Sequence, residues 1–425
     1  MIPDAPRSGG ASATGKVLRK SMIDVLRHRA YRHLFAAQVV ALTGTGLTTV
    51  ALGLLAYDLA GDRAGIVLGT ALTIKMLAYV FLSPVAAALT EGLDRRKVLV
   101  SLDLVRAATA LCLPFVTEVW QVYSLIFVLQ AASAGFTPAF QATIPVLLPE
   151  EDEYTKALSL SRLAYDIESL ASPALAAALL GLVTFDALFV GTCLGFVGSA
   201  LLVLTVALPR DPTPERRSIW ARTTRGLRLY LDDRNLRGLM ALNVAVAMPG
   251  AMVLVNTVLL VKAELGGSDR NVALALGAFG GGSMLIALLL PRLLTRRNDR
   301  TVMLAGGALM AGAGLVLALA GLSPPWGWPA LLATWTVIGA GYSMALTPSG
   351  RLLRRSSGSP SDLPALFAAQ FALSHACWLV AYPLAGWLAT TAAPETALAA
   401  LSFLGACGVV SADRFWTDRK RRPDP

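Results

Sequence analysis

The stretch SRLAYDIESLASP, Ser161 to Pro173, places Arg162, Asp166 and Glu168 between two long apolar regions. An Arg and an Asp four residues apart share one face of a helix and can pair along it. Glu168 follows Asp166 by two residues, a rotation of about 200°. At most one of the two carboxylates can therefore share the face of Arg162. Low dielectric favours the protonated carboxyl and a neighbouring cation favours the ionised one. A carboxylate set between these influences, in a cavity open alternately to each side of a membrane, can take a proton outside and release it inside. Two plainer roles fit the same residues: lining a cytoplasmic mouth, or pairing for structure alone.

Further ionisable residues interrupt apolar sequence. Lys75 has Tyr79 one turn on. A central lysine costs about 2.5–3.5 kcal/mol on insertion scales unless it faces protein or water, so it either partners a buried acid or contacts a substrate or ion. Asp103 and Arg106 are three apart on one helical face and can neutralise each other. His375 can titrate near neutral pH or serve as a hydrogen-bonding group in a packed helix. The cluster EGLDRRK carries Glu91, Asp94, Arg95 and Arg96, and is either a latch or an anchor that only fixes orientation.

The elements that hold these groups follow from composition. Of 425 residues, 55% are hydrophobic and only 15% charged, against about 25% charged in a soluble domain. Crossing a bilayer takes about 20 mostly apolar residues. Twelve such segments can be drawn, at 34–57, 65–89, 98–117, 121–147, 160–183, 186–208, 239–262, 271–291, 302–321, 329–350, 363–389 and 394–412. With residue 1 placed in the cytoplasm, 31 of the 37 Lys and Arg fall on the cytoplasmic side; Arg63, Lys262 and Arg270 fall outside, and Lys75, Arg106 and Arg162 lie within spans. Such asymmetry is what the positive-inside rule expects. The basic balance thus points to topology and anionic lipid, not to nucleic acid.

The expected fold class is an all-α membrane protein, its twelve transmembrane helices forming two pseudo-symmetric six-helix bundles. A cytoplasmic tail (1–33), with residues 16–33 as an amphipathic helix on the inner leaflet, precedes the first bundle (34–208). A cytoplasmic linker (209–238), the second bundle (239–412) and a cytoplasmic tail (413–425) follow. DRRKVLV (94–100) aligns with NDRTVML (298–304), and AGF (134–136) with AGY (340–342). Near-constant offsets of this kind mark two similar halves, with a substrate site between them near the midplane. The cysteines Cys112, Cys193, Cys377 and Cys407 all lie in apolar runs and form no metal spacing.

Three stretches resemble the major facilitator superfamily, nearest its enterobactin-exporter and macrolide-efflux branch: GLTTVALGLLAYDLAGD (46–62), AALTEGLDRRKVLVSLDLVRA (87–107) and GFTPAFQATIPVLLPEEDEYTKALSLSRLAYDIESLASPAL (135–175). The second is similar to the family's signature between spans two and three, with Glu91 for the usual acid and Gly92 for an arginine. The resemblance implies gating by Glu91, Asp94, Arg95, Arg96, Asp103 and Arg106, with the acid meeting the N-terminus of span eleven near SPSDLP (359–364), where a helix dipole favours negative charge. The third resembles a degenerate antiporter motif that keeps Pro173, with Ser172 in place of the glycine before it. Spans one, four, seven and ten are implied to line the cavity, offering Gln38, Thr43, Thr45, Gln130, Phe136, Asn243, Asn256, Trp335 and Tyr342.

Few polar groups on apolar walls suit an amphipathic ligand. The expectation is a monomeric secondary transporter of the inner membrane that exports a small drug- or siderophore-like molecule by proton antiport, with Asp166, Glu168, Arg162 and Lys75 as coupling or substrate residues. It needs no cofactor and no metal, and no enzyme chemistry is visible. An importer or lipid flippase on the same fold and a non-transporting membrane sensor are the rival readings.

Overall fold

The computed structural model describes residues 22–61, 64–208, 218–321 and 327–417. The expected segments at 1–21, the start of the linker at 209–217 and the end of the tail at 418–425 lie outside the described residues. The chain forms helices α1 (Arg29–Ala60), α2 (Ala64–Thr90), α3 (Arg95–Cys112), α4 (Val119–Leu147), α5 (Glu151–Leu180), α6 (Phe185–Leu204), α7 (Ile219–Asp232), α8 (Arg234–Leu259), α9 (Asp269–Arg296), α10 (Asp299–Ala320), α11 (Gly327–Leu346), α12 (Ser349–Ser356), α13 (Leu363–Thr391) and α14 (Pro394–Thr417). Twelve segments among the described residues are long and apolar enough to cross a membrane. In hydrocarbon every backbone polar group must bond within its own segment, which leaves helices as the solution for such runs.

The two halves pack by the same rule. In the first, α1 lies on α6 and α5, α2 on α4, and α3 on α4 and α6; in the second, α8 lies on α14 and α13, α9 on α11, and α10 on α11 and α14. Each pair in one half has its counterpart six spans later. The local chemistry repeats as well. Asp94 caps α3 by accepting from the backbone N–H groups of Arg96 and Lys97, and Asn298 caps α10 by accepting from Thr301. Side-chain caps of this kind satisfy donors that the first helical turn leaves free. The halves meet through α2 against α13 and α5 against α9.

Two segments differ from the sequence expectation. Residues 29–33 are the start of α1, and Met22–Arg27 form a short 3-10 turn whose Val25 is buried with Tyr31, Leu148 and Tyr154. Over residues 22–33 the apolar side of this segment packs on the bundle; residues 16–21 of the expected inner-leaflet helix lie outside the described residues. Within the linker, Ile219–Asp232 forms the amphipathic helix α7, which lies on α13 and α2.

Candidate functional site

A cavity of about 630 Å³ lies between the halves, within the range of small-molecule sites. The face of α5 that meets it carries Ser161, Arg162, Tyr165 and Glu168. Helical spacing explains the sorting, since positions 161, 165 and 168 fall on one stripe. Asp166 is turned away and is only 3% exposed.

Asp166 is saturated by partners. The Arg162 guanidinium pairs with it, the Arg162 Nε–H lying 3.2 Å from Asp166 Oδ2. Ser283 Oγ, on α9 of the other half, donates to the same Oδ2 at 2.6 Å and lies 3.2 Å from Arg162 Nε. The guanidinium also sits 4.5 Å over the ring of Tyr342 on α11. Arg162 and Asp166 therefore join the halves. Glu168 instead shares the cavity with Lys75, and the two interact electrostatically. Lys75 lies 5.7 Å from the centre of the Tyr79 ring.

Behind Glu168, Ser172 is buried where α5 presses on α1. A Cβ added to Gly46 would collide with Ser172 Oγ and lie 2.8 Å from Glu168 Oε1. Glycine at position 46 is what lets α1 and α5 approach this closely, as small residues do between membrane helices. Pro173 continues α5.

Asp103, fully buried, pairs with Arg106 and accepts from Ser199 Oγ at 2.8 Å. The Arg106 guanidinium is stacked between Phe136 at 3.9 Å and Phe196 at 4.4 Å. A planar cation suits such a slot, because guanidinium can bond at its edge while its faces meet aromatic rings.

Of the expected cavity residues, Gln38, Thr45, Gln130, Phe136, Asn243 and Tyr342 line it. Thr43, Asn256 and Trp335 do not. Thr43 donates to the backbone oxygen of Val39. Asn256 is buried against Met252 and Ala385. Trp335 is fully buried, its indole N–H donating to Thr257 Oγ1 at 2.7 Å. A wall the spacing did not indicate comes from α13: Phe367, Gln370, Phe371, His375 and Trp378. His375 lies edge-on to Tyr79 at 4.8 Å and places Nδ1 2.7 Å from the Phe371 carbonyl. The second half thus presents aromatic faces to the more polar α1 and α5 walls.

Ion pairs close the bundle end that bears both termini of the described chain. Glu91 is joined to the N-terminus of α13 through arginines of α7 and not by a direct contact: Arg222 reaches it at 2.6 Å, and Arg225 bridges Glu91 and Asp362. On the other flank, Arg351 and Arg355 pair with Glu151 and with Asp299, at 3.2 and 2.9 Å for the latter. Arg354 donates to the Pro149 carbonyl. Of the remaining basic-cluster residues, Arg95 donates to the Ala142 carbonyl at 3.1 Å, while Arg96 gives its backbone N–H to the Asp94 cap. Sequence counted Arg222, Arg225, Arg351 and Arg355 only as positive charge. Their acidic partners lie more than 50 residues away, so no local spacing signals the pairs.

The family described as transmembrane secretion effector matches residues 20–350. Macrolide efflux protein A of Streptococcus pyogenes is 29% identical over 182 residues, 42% of this chain and 44% of that protein. Its counterpart in Enterococcus faecalis is 31% identical over 153 residues, 34% of this chain and 47% of that one. These matches span less than half the length of either relative. Two solved structures share the fold: the human organic anion transporter MFSD10 (TM-score 0.73, 15% identity, 90% of this chain and 99% of that one) and a bacterial homologue of the iron transporter ferroportin in an outward-facing state (TM-score 0.75, 14% identity, 93% and 100%). The paired halves, the cavity between them and the family match agree: the chain belongs to the transmembrane secretion effector family, within the major facilitator superfamily of membrane transporters.

Proposed function

We propose that the protein exports a small amphipathic or hydrophobic molecule across the cell membrane in exchange for protons. The observation that carries this reading is the placement of Glu168. It is the one carboxylate lining the cavity among the described residues, it faces Lys75, and it sits beside aromatic walls. The relatives' name makes a macrolide the first substrate to try.

The charge asymmetry supports cytoplasmic termini, and anionic inner-leaflet lipids then meet the arginine-rich face. With that orientation, the ion pairs at Glu91, Asp299 and Asp362 close the cytoplasmic end, so the cavity faces outward in this conformer. In the exchange, Glu168 takes a proton while the cavity is open outward, which loosens its hold on Lys75 and on any polar group of the substrate. The halves then rock about the α5–α9 and α2–α13 contacts, the cytoplasmic pairs part, and Glu168 gives up its proton inside as substrate enters. Asp166 and Arg162 act in this reading as a neutral joint between the halves, with Ser283 completing it. The protein works as a monomer, since the cavity is complete within one chain.

The test is transport by purified protein in vesicles carrying a radiolabelled macrolide and an imposed pH gradient. The parent should move substrate against its gradient. Glu168→Gln should lose gradient-driven movement and keep passive exchange. Undiminished pumping by Glu168→Gln would remove the coupling assignment.

A further inference from the structure

Tyr230 lies on the linker helix α7, outside the membrane-spanning helices, yet it is fully buried. It gets there because α7 presses on α13. Gly226 is the contact point: a Cβ at that position would collide with the backbone carbonyl of Ala365. One helical turn further on, the Tyr230 hydroxyl donates to Gln370 Oε1. Gln370 also exchanges hydrogen bonds with Asn243: Asn243 Nδ2 donates to Gln370 Oε1 at 3.3 Å, and Gln370 Nε2 donates to Asn243 Oδ1 at 3.2 Å. Both amides line the cavity.

Counting donors and acceptors fixes what Gln370 offers a ligand. A primary amide has two N–H groups and one carbonyl oxygen with two lone pairs. Two donors, Tyr230 and Asn243, occupy Gln370 Oε1. One N–H goes to Asn243, which leaves the other for the cavity. The reversed amide would set its NH2 against the phenol and cost the buried O–H its acceptor on Gln370, a loss the observed arrangement avoids. Burial pushes the Tyr230 phenol well above its ordinary pKa, so it stays an O–H donor across the physiological range.

We propose that Tyr230 is a positioning residue for substrate recognition: it holds Gln370 with an amide N–H turned to the cavity, so that the transported molecule is one bearing a hydrogen-bond-accepting oxygen, a carbonyl or an ether. This rests on the reading of the cavity as a site for amphipathic molecules and adds to it the polar group that is recognised. It also makes a helix outside the membrane a determinant of specificity inside it.

The test uses the full-length protein in lipid nanodiscs and two fluorescent probes: a dimethylaminonaphthalene bearing a propionyl group, and its propyl counterpart without the ketone oxygen. Fluorescence titration gives the affinity ratio of the pair. A net hydrogen bond is worth about 1 kcal/mol, so the parent should favour the ketone about fivefold. Tyr230→Phe should bring the ratio to about one while leaving affinity for the propyl probe unchanged. Gln370→Leu should give the same ratio by removing the donor itself, whatever the stability of the tyrosine variant. The proposal is overturned if Tyr230→Phe keeps the parent's ratio, if either variant weakens both probes equally, or if the parent binds both alike. Binding of neither probe by the parent would instead overturn the amphipathic-cavity reading, and this proposal with it.

Discussion

Asp166 and Glu168 are two residues apart on α5 and stand in opposite surroundings. Asp166 is buried in a bridge between the halves, held by Arg162 and Ser283, while Glu168 opens into the cavity toward Lys75. The two carboxylates should therefore fail differently. Glu168→Gln should fold normally and lose pH-driven transport. Asp166→Asn leaves the part-buried, cavity-lining Arg162 guanidinium without its counter-charge, which costs up to about 3 kcal/mol. Thermal unfolding in detergent should show a markedly lower midpoint for Asp166→Asn, with Glu168→Gln near the parent.

The ion pairs of Arg351 with Glu151 and Asp299 join α12 to α5 and α10. Arg351→Gln should favour conformers open at that end. Loss of about 1.4 kcal/mol changes the ratio of two states tenfold. Spin labels at Asp152→Cys and Arg297→Cys would report this as a new, longer distance population. An unchanged distribution would show that these pairs do not hold the end shut.

Gly46 faces Ser172 with no room for a Cβ. Gly46→Ala should lower stability by about 1–3 kcal/mol through overpacking. Ser172→Gly should restore part of it, since residues in contact are not additive. Thermal midpoints of both single variants and the double variant measure the coupling directly.

Arg106 and Asp103 are both almost fully enclosed. Either Arg106→Met or Asp103→Asn alone strands its partner in a membrane-embedded core, and yields of folded protein should drop. The double variant should recover part of the loss, because removing both charges of a buried pair is tolerated better than removing one. Gel-filtration recovery after extraction would show the order.

The orientation proposed for the termini is checked by labelling. In a cysteine-free background, Glu118→Cys should react in intact cells with a maleimide that cannot cross membranes. Ile219→Cys, 59% exposed on α7, should react only after the cells are opened. The reverse pattern would invert the direction of the cavity.

Much was legible in the sequence because it is written along single helices. Span number follows from the length of apolar runs, and the Arg162–Asp166 and Asp103–Arg106 pairs follow from spacings of four and three. The opposite facing of Asp166 and Glu168 follows from helical rotation alone. What tertiary structure decided is which face of each helix meets protein and which meets lipid. In a soluble helix a polar stripe marks the outside, but here both faces are apolar and that signal vanishes. Trp335 and Asn256 thus read as cavity residues and proved to be core, while Phe371, His375 and Trp378 formed a wall that no periodicity announced. The partners of Glu91, the donor Ser283 and the reach of Tyr230 to Gln370 join residues more than 100 positions apart. Only the packing of helices distant in the chain could bring those together.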